Sequence, residues 1–299
     1  MSINKYPSVS IGMPVYNGET FIREALDSLL SQTFTDFELI ISDNGSTDRT
    51  EAICREYAAK DERIRYIRQP ENRGAIGNFQ FVLDEAAGEY FMWAAADDKW
   101  SPNWIEILLQ IILTHTNTSA FGKVVTIDKN GHLLDHPVNN RDLSFSGNKL
   151  FRRLKYFFEL ESFGKANIIY GLFKLKDIKK LQLNAFEFDY NIVYDILQTT
   201  EFHCSQKAVL YKRIHDNNEA QSSTEQEQGK RSIIEKIMRF LRLPIERKNM
   251  YLSGYITHST PLERILLILL YPFKIIFFYS NAFKSAVQIK LTKKYLSCL

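Results

Sequence analysis

Residues 9–43 read VSIGMPVYNGETFIREALDSLLSQTFTDFELIISD, one complete strand–helix–strand unit. Val9, Ile11 and Met13 alternate with small or polar residues, the period of a strand, and Pro14 predicts its end before the loop VYNGE. Phe21, Ile22, Ala25, Leu26, Leu29 and Leu30 then recur at helical spacing, with Thr20 as the candidate cap. FELIIS (37–42) is a near-continuous apolar run, as in a strand covered on both faces. The punctuation repeats downstream. DNGSTDRTEAICREYAAK (43–60) reads as turn and helix, RIRYIRQ (63–69) as a strand, and ENRGAIGNFQFVLDEAAG (71–88) as loop and helix. EYFMWAAADD (89–98) is an apolar strand running into two aspartates. Strands alternating with helices imply right-handed crossovers and an α/β fold, a mostly parallel sheet flanked by helices. Ligands of such sheets bind beyond the carboxyl ends of the strands. Those ends are Pro14–Glu19, Asp43–Ser46, Arg68–Gly74 and Asp97–Asp98, so polar groups are expected to converge on one rim.

Beyond residue 100 the expectations are a helix at 102–114, a strand over AFGKVVTID (120–128) turning at Asn130-Gly131, and a helix at 149–161. A strand over IIYGLFKL (168–175), a helix at 190–199 and a last strand over HCSQKAVLYKRIH (203–215) follow. DNNEAQSSTEQEQGK (216–230) is polar and poor in aromatics, which marks a linker. The expected organisation is a catalytic domain over 1–218, a linker at 219–230 and a helical basic extension over 231–299.

The 299 residues are 45% apolar, 24% charged and 13% aromatic, which excludes disorder as the main state and also a small stapled scaffold. Cys54, Cys204 and Cys298 lie far apart without a Cys-x-x-Cys pair, so neither a disulfide framework nor a zinc knuckle is expected. The opening MSINKYPSVSIGMPVYN lacks the apolar stretch of a signal peptide, and a cytoplasmic location is expected.

Charge is divided unevenly. Residues 1–225 carry 25 basic and 31 acidic side chains, net −6, whereas residues 226–299 carry 13 and 4, net +9. In the basic part, Ile265–Phe283 is an apolar run of 19 residues interrupted by Pro272 and Lys274, which favours helices lying on a surface over one spanning a bilayer. Peripheral attachment to an anionic inner leaflet is one reading and packing on the catalytic domain or a partner subunit the other. Nucleic acid is not an expected partner, since the aromatics sit within aliphatic runs and no nucleic-acid motif is present.

Asp97 and Asp98 at the end of a buried strand repel each other unless a cation intervenes, and oxygen ligands of this kind favour Mg or Mn over zinc. The competing reading is a helix N-cap ahead of Pro102-Asn103-Trp104.

Together these motifs resemble the inverting nucleotide-sugar glycosyltransferases of family 2, which have the GT-A fold. VSIGMPVYNGETFIREALDSLLSQTFTDFELIISDNGSTDRT is similar to that family's opening nucleotide-binding unit, and PENRGAIGNFQFVLDEAAGEYFMWAAADDKWSPNW to the stretch leading to its Asp-x-Asp metal motif. The resemblance spans residues 7–216. It implies a sugar transferred from a nucleotide donor, a UDP-sugar, to a hydroxyl of a glycan or lipid-linked acceptor, in cell-surface polysaccharide or glycoconjugate synthesis. Tyr16 would lie near the base and Asp43 would accept its imide N–H, with Pro14, Asn17 and Glu19 shaping the pocket. Arg73 would approach the ribose or diphosphate, with Gly74 and Asn78 keeping the backbone close. Asp97 and Asp98 would hold Mg or Mn, although Ala95 occupies the motif's first acidic position. Asp189 in AFEFDYNIVYDIL matches the family's catalytic base, with Phe188 where an acid often precedes it; Glu187 and Asp195 are alternatives. Arg213 and His215 in YKRIH resemble a late Arg-x-His element and would support the diphosphate or metal. Two other readings stand beside this one. A nucleotidyltransferase would need a Gly-rich basic loop that GMPVYNGE (12–19) lacks, and a catalytically silent sugar-nucleotide-binding or scaffold protein would account for Ala95 and Phe188.

Overall fold

The computed structural model describes residues 7–159, 164–183, 188–215 and 252–275. In chain order the elements are β1 (Val9–Val15), α1 (Ile22–Leu30), β2 (Phe37–Asp43), α2 (Thr50–Ala58), β3 (Ile64–Arg68), α3 (Gly74–Asp84) and β4 (Tyr90–Trp93). There follow β5 (Lys99–Trp100), α4 (Trp104–Thr114), β6 (Thr118–Ile127), α5 (Lys149–Phe158), a 3-10 helix (Lys165–Tyr170), β7 (Phe173–Lys174), α6 (Leu175–Ile178), α7 (Phe188–Ile196), β8 (Glu201–Arg213) and α8 (Leu252–Thr257). Residues 261–275 are helical and are called α9.

The main sheet has the order β3-β2-β1-β4-β7, parallel except for β7, which runs antiparallel to β4. All seven residues of β1 are buried, because β2 and β4 flank it and helices cover its faces. The strand runs one residue past Pro14. Even-numbered residues here face β4, as Ala94 N–H donating to the Gly12 carbonyl shows, and the pairing with β4 ends at Gly12. The N–H that Pro14 lacks would therefore have had no strand partner. Thr20 does not cap α1; the Phe21 and Ile22 N–H groups donate to the Gly18 carbonyl instead.

A second sheet, β5-β8-β6, pairs β8 in parallel with β6 from Thr118↔Glu201 to Ile127↔Arg213 and antiparallel with β5. One sequence expectation fails here. IIYGLFKL is not a continuous strand but the end of the 3-10 helix followed by the two-residue β7. The turn is imposed from both sides. Lys165 is buried and donates to the Tyr156 and Glu159 carbonyls at the C-terminal end of α5, and at Gly171 a Cβ would lie 2.6 Å from the Ala120 carbonyl oxygen.

The 219–230 linker lies outside the described residues, as does most of 231–299 except 252–275. Those residues share the core of the catalytic domain: Leu252, Tyr255, Leu267 and Tyr271 are all buried in it. Arg153 of α5, with no exposed side-chain surface, donates from Nη1 to both Glu263 carboxylate oxygens (2.7 and 2.6 Å) and from Nη2 to the His258 carbonyl. Glu263 also accepts the Thr260 N–H at 2.9 Å, a capping box that starts α9. From α7, Asp195 meets His258 Nδ1 at 2.5 Å and the Tyr194 hydroxyl meets Ser259 Oγ at 3.0 Å. Among the described residues no helix is long and apolar enough to cross a membrane.

Removing one partner of a buried ion pair leaves the other charge stranded in a low dielectric. Glu263→Ala is therefore expected to lower unfolding stability by about 3 kcal/mol in a denaturant titration. A loss below about 1 kcal/mol, the level of an exposed pair, would mean that the α8–α9 unit carries little of the fold's stability.

Candidate active site

The rim beyond the carboxyl ends of β1, β2 and β4 is built from loops laced to one another. After β1 the chain turns at Asn17, whose φ of 51° lies in the left-handed region that asparagine tolerates. Its backbone N–H donates to Ser46 Oγ (2.9 Å), and its side-chain oxygen accepts the Thr47 N–H (2.8 Å). Gly18 N–H donates to Thr50 Oγ1, Glu19 N–H to Asp48, and the Glu19 carboxylate accepts the Arg49 N–H. Pro14 is the last residue but one of β1, and Tyr16 projects from the turn with 42% of its surface exposed.

Asp43, at the end of β2, has no exposed side-chain surface. Its Oδ1 accepts the Ser46 N–H, and its Oδ2 accepts the Tyr66 hydroxyl (2.8 Å) and Arg68 Nη1 (3.3 Å). A base would have to compete with the latter two for Oδ2. Asn78 is buried and ties β2 to β1 by donating to the Ser42 and Val15 carbonyls and accepting the Ser42 hydroxyl. Arg73 N–H donates to Asn44 Oδ1, while its exposed guanidinium reaches Gln69 and lies over the Phe81 ring; Gly74 follows with a φ of 73°.

The paired aspartates separate in role. Asp97 is partly exposed, and its Oδ2 lies 3.0 Å from His215 Nε2. Burial pushes its carboxyl pKa up, but the His215 hydrogen bond and the Lys212 charge outweigh that and hold it below the ordinary value. Asp98 is wholly buried. One oxygen accepts the Arg213 backbone N–H and the other Lys212 Nζ, both at 2.9 Å. Desolvation pushes its carboxyl up to about 6, against the pull of Lys212, and the Asp98 charge in turn holds the lysine above its usual range despite its own burial. At neutral pH the pair is ionic.

This geometry bears on two sequence expectations. Each Asp98 oxygen already accepts a hydrogen bond from β8, with which a metal would have to compete. Arg213 does not reach towards a diphosphate: it is wholly buried, over the Phe21 ring. Its guanidinium donates to the Asp97, Asp128 and Lys129 carbonyls and to the Glu24 carboxylate.

Asp189 opens α7 and accepts the Tyr190 N–H; burial pushes its carboxyl pKa up, and Lys212 opposes the shift. Tyr170, at the end of the 3-10 helix, marks the meeting point. Its hydroxyl is pushed up to about 12, first by burial and then by the negative charges of Asp98, Asp97 and Asp189, while Lys212 pulls the other way with its ammonium 5.1 Å from the ring centroid. Asp97, Asp98, Asp189 and Lys212 thus lie near enough to Tyr170 for their charges to act on its hydroxyl. Of the alternatives to Asp189, Asp195 is engaged with His258 and Glu187 lies outside the described residues. Lys212 and Tyr170 were not expected from the sequence. Lys212 stood beside Arg213 in YKRIH, but its partner is 114 residues away. Among the described residues no three His, Cys, Asp or Glu side chains form a metal cage, and Asp97 with His215 is the pair there that would hold an ion. A carboxylate with an imidazole fits Mn better than Mg, with the rest of the shell coming from substrate phosphates and water.

The model of glycosyl transferase family 2 matches residues 10–172, more than half of the chain, and the chain belongs to that family. An uncharacterized glycosyltransferase of Rickettsia typhi is 30% identical over 224 residues, 72% of this chain and 67% of that protein. One from Rickettsia bellii is 41% identical over 135 residues, 44% of this chain and 19% of the relative, and one from Rickettsia felis is 30% identical over 228 residues, 70% and 34%. The chain thus spans about a fifth and a third of the length of these last two. Among solved structures, Staphylococcus aureus TarS 1-349 in complex with UDP superposes with a TM-score of 0.58 at 17% identity, covering 94% of this chain and 91% of that one. Its complex with UDP-GlcNAc gives 0.56 at 18%, covering 84% and 72%. The shared architecture is the GT-A fold.

The division of labour between the two aspartates is measurable. Asp98→Ala, which strands Lys212, is expected to lower stability by about 3 kcal/mol whether Mn or a chelator is present. Asp97→Asn is expected to cost less than about 1 kcal/mol in chelator. Equal losses in both variants would show that the buried latch is not specific to Asp98.

Proposed function

We propose that this family 2 glycosyltransferase is a metal-dependent inverting enzyme that moves a sugar from a UDP-linked donor to a hydroxyl of a glycan or lipid-linked acceptor. One observation supports the reading: Asp97, which is hydrogen-bonded to His215, and Asp189 both lie near enough to Tyr170 for their charges to act on its hydroxyl, beyond the carboxyl ends of a parallel α/β sheet where ligands bind. The UDP and UDP-GlcNAc complexes of TarS, which share the fold, support a uridine nucleotide. Tyr16, exposed in the turn after β1, would cover the base. Asp43 would read the uracil imide N–H, a bond formed at the expense of Tyr66 or Arg68. Arg73, exposed beside Gly74, would approach the ribose and diphosphate.

Asp97 and His215 would hold the divalent ion, whose chemistry there is to neutralise charge growing on the departing diphosphate. The remaining work falls to side chains. Asp189 accepts the proton of the acceptor hydroxyl as that oxygen bonds to the anomeric carbon from the face opposite the diphosphate. The bond from the anomeric carbon to the diphosphate oxygen breaks in the same displacement, its electron pair leaving with the nucleotide, and the configuration inverts. A carboxylate whose pKa is raised by burial is a stronger base than a solvated one, provided it stays ionised at the working pH. A lipid-linked acceptor would also give the basic, apolar C-terminal part a place at the inner face of a membrane.

In a thermal-shift panel of UDP, GDP, CDP and TDP, UDP alone is expected to raise the midpoint, and only with Mn or Mg; at about 100 Kd such binding is worth about 2.7 kcal/mol. Asp97→Asn should remove the metal dependence. Asp189→Asn should keep the UDP shift while lowering kcat by about 10²- to 10⁴-fold. In the unaltered chain, turnover should rise with pH through the raised pKa of Asp189, because the base works only when ionised. UDP-sugar turnover unchanged in Asp189→Asn would remove Asp189 as the base, and binding without turnover in the unaltered chain would favour the silent reading.

A further inference from the structure

We propose that the outward face of α9 docks on an anionic lipid surface. A helix on a protein surface ordinarily turns its apolar stripe to the core and its charges to water; α9 buries two charges beside Leu267 and Tyr271 and leaves five large apolar side chains outside. Glu263, Leu267, Tyr271 and Lys274 point inward and are buried, whereas Leu262, Ile265, Ile268, Leu269 and Phe273 share the outward face with 55–64% of their surface exposed. The inversion is locked. Glu263 is committed to buried Arg153 and to the Thr260 N–H, and the Lys274 ammonium lies 4.6 and 5.4 Å from the ring centroids of Phe157 and Tyr255. Rolling the helix to hide its apolar stripe would strand Arg153 without its counter-ion and would bring the buried Leu267 and Tyr271 out of the core. Five large apolar side chains on one helix face form the kind of contiguous patch that marks an interaction surface.

Charge selects the occupant. After Glu263, and apart from the inward Lys274, the sequence carries Arg264, Lys284, Lys290, Lys293 and Lys294 and no acidic residue, while residues 1–225 are net negative. A second copy seated face to face on this helix would bring two such cationic stretches together. An anionic bilayer instead takes the apolar side chains into its acyl boundary and attracts the lysines to its headgroups. The surface stands apart from the transfer chemistry, so it can be tested without turnover.

The experiment is co-sedimentation of the full chain with vesicles of phosphatidylcholine alone, or with phosphatidylglycerol in about equal parts. The unaltered chain is expected to bind the anionic vesicles at least about tenfold more tightly than the neutral ones, and Leu269→Glu with Phe273→Glu to lose at least about tenfold of that binding with an unchanged thermal midpoint. The milder pair Leu269→Ser with Phe273→Ser should lose binding in the same direction and serves if the glutamates disturb folding. Failure of the unaltered chain to pellet with anionic vesicles would overturn the proposal, as would full binding by a folded double variant. Concentration-dependent self-association abolished by the same substitutions would assign the face to a second copy instead.

Discussion

Arg213 and Asp98 fix the corner at which the chain leaves the main sheet and enters the second. Asp98 lies between β4 of the main sheet and β5, which pairs with β8 in the second, and its two oxygens take the Arg213 N–H and the Lys212 ammonium of β8. The Arg213 side chain continues the clamp to the Asp97 carbonyl, to the turn after β6 and to Glu24 on α1. A carboxylate with no exposed surface persists only if it is paired and hydrogen-bonded, and here both conditions are met by one dipeptide of β8. Two residues past Arg213 the chain delivers His215 against Asp97 and the Phe21 ring. The catalytic rim is thus the exposed edge of a buried structural latch.

The latch also explains why adjacent aspartates can coexist. Their repulsion is relieved by separate partners, a lysine on one side and an imidazole on the other, so a metal ion is not required to fold this corner of the protein. The metal's place in the proposed chemistry is therefore confined to the partly exposed Asp97 edge. Asp189 lies near Tyr170 on α7, and α7 is itself held at its other end, where Asp195 meets His258 and Tyr194 meets Ser259. One short helix carries the proposed base near its start and the anchor of the C-terminal unit near its end. Whatever α9 docks against is thus joined through packed side chains to the helix that bears the base.

Much of this was legible in the residues. Period-two alternation at Val9, Ile11 and Met13, the apolar run at 37–42 and the aspartates closing EYFMWAAADD identify parallel strands and which of their ends share a rim, because a parallel sheet puts every carboxyl end on one side. Asp189 was within reach only through the family resemblance, since an aspartate in the first turn of a helix is unremarkable by itself. IIYGLFKL misled because short apolar, β-branched runs do not separate strand from turn. The buried Lys165 and the close approach of Gly171 to the Ala120 carbonyl are contacts between distant parts of the chain.

The sequence by itself determined the alternating parallel α/β architecture, the loops that form the rim and the basic, apolar character of the C-terminal part, because all of these follow from periodicity and composition along the chain. Which charges are spent on one another was decided only by the tertiary structure. Asp98 with Lys212, Arg213 with Glu24 and Arg153 with Glu263 are pairs separated by more than 100 residues, made when sheets and helices come together. Those pairings tie Asp98 and Arg213 into the structure, leave Asp97 and His215 at the rim, and fix α9 with its apolar face outward.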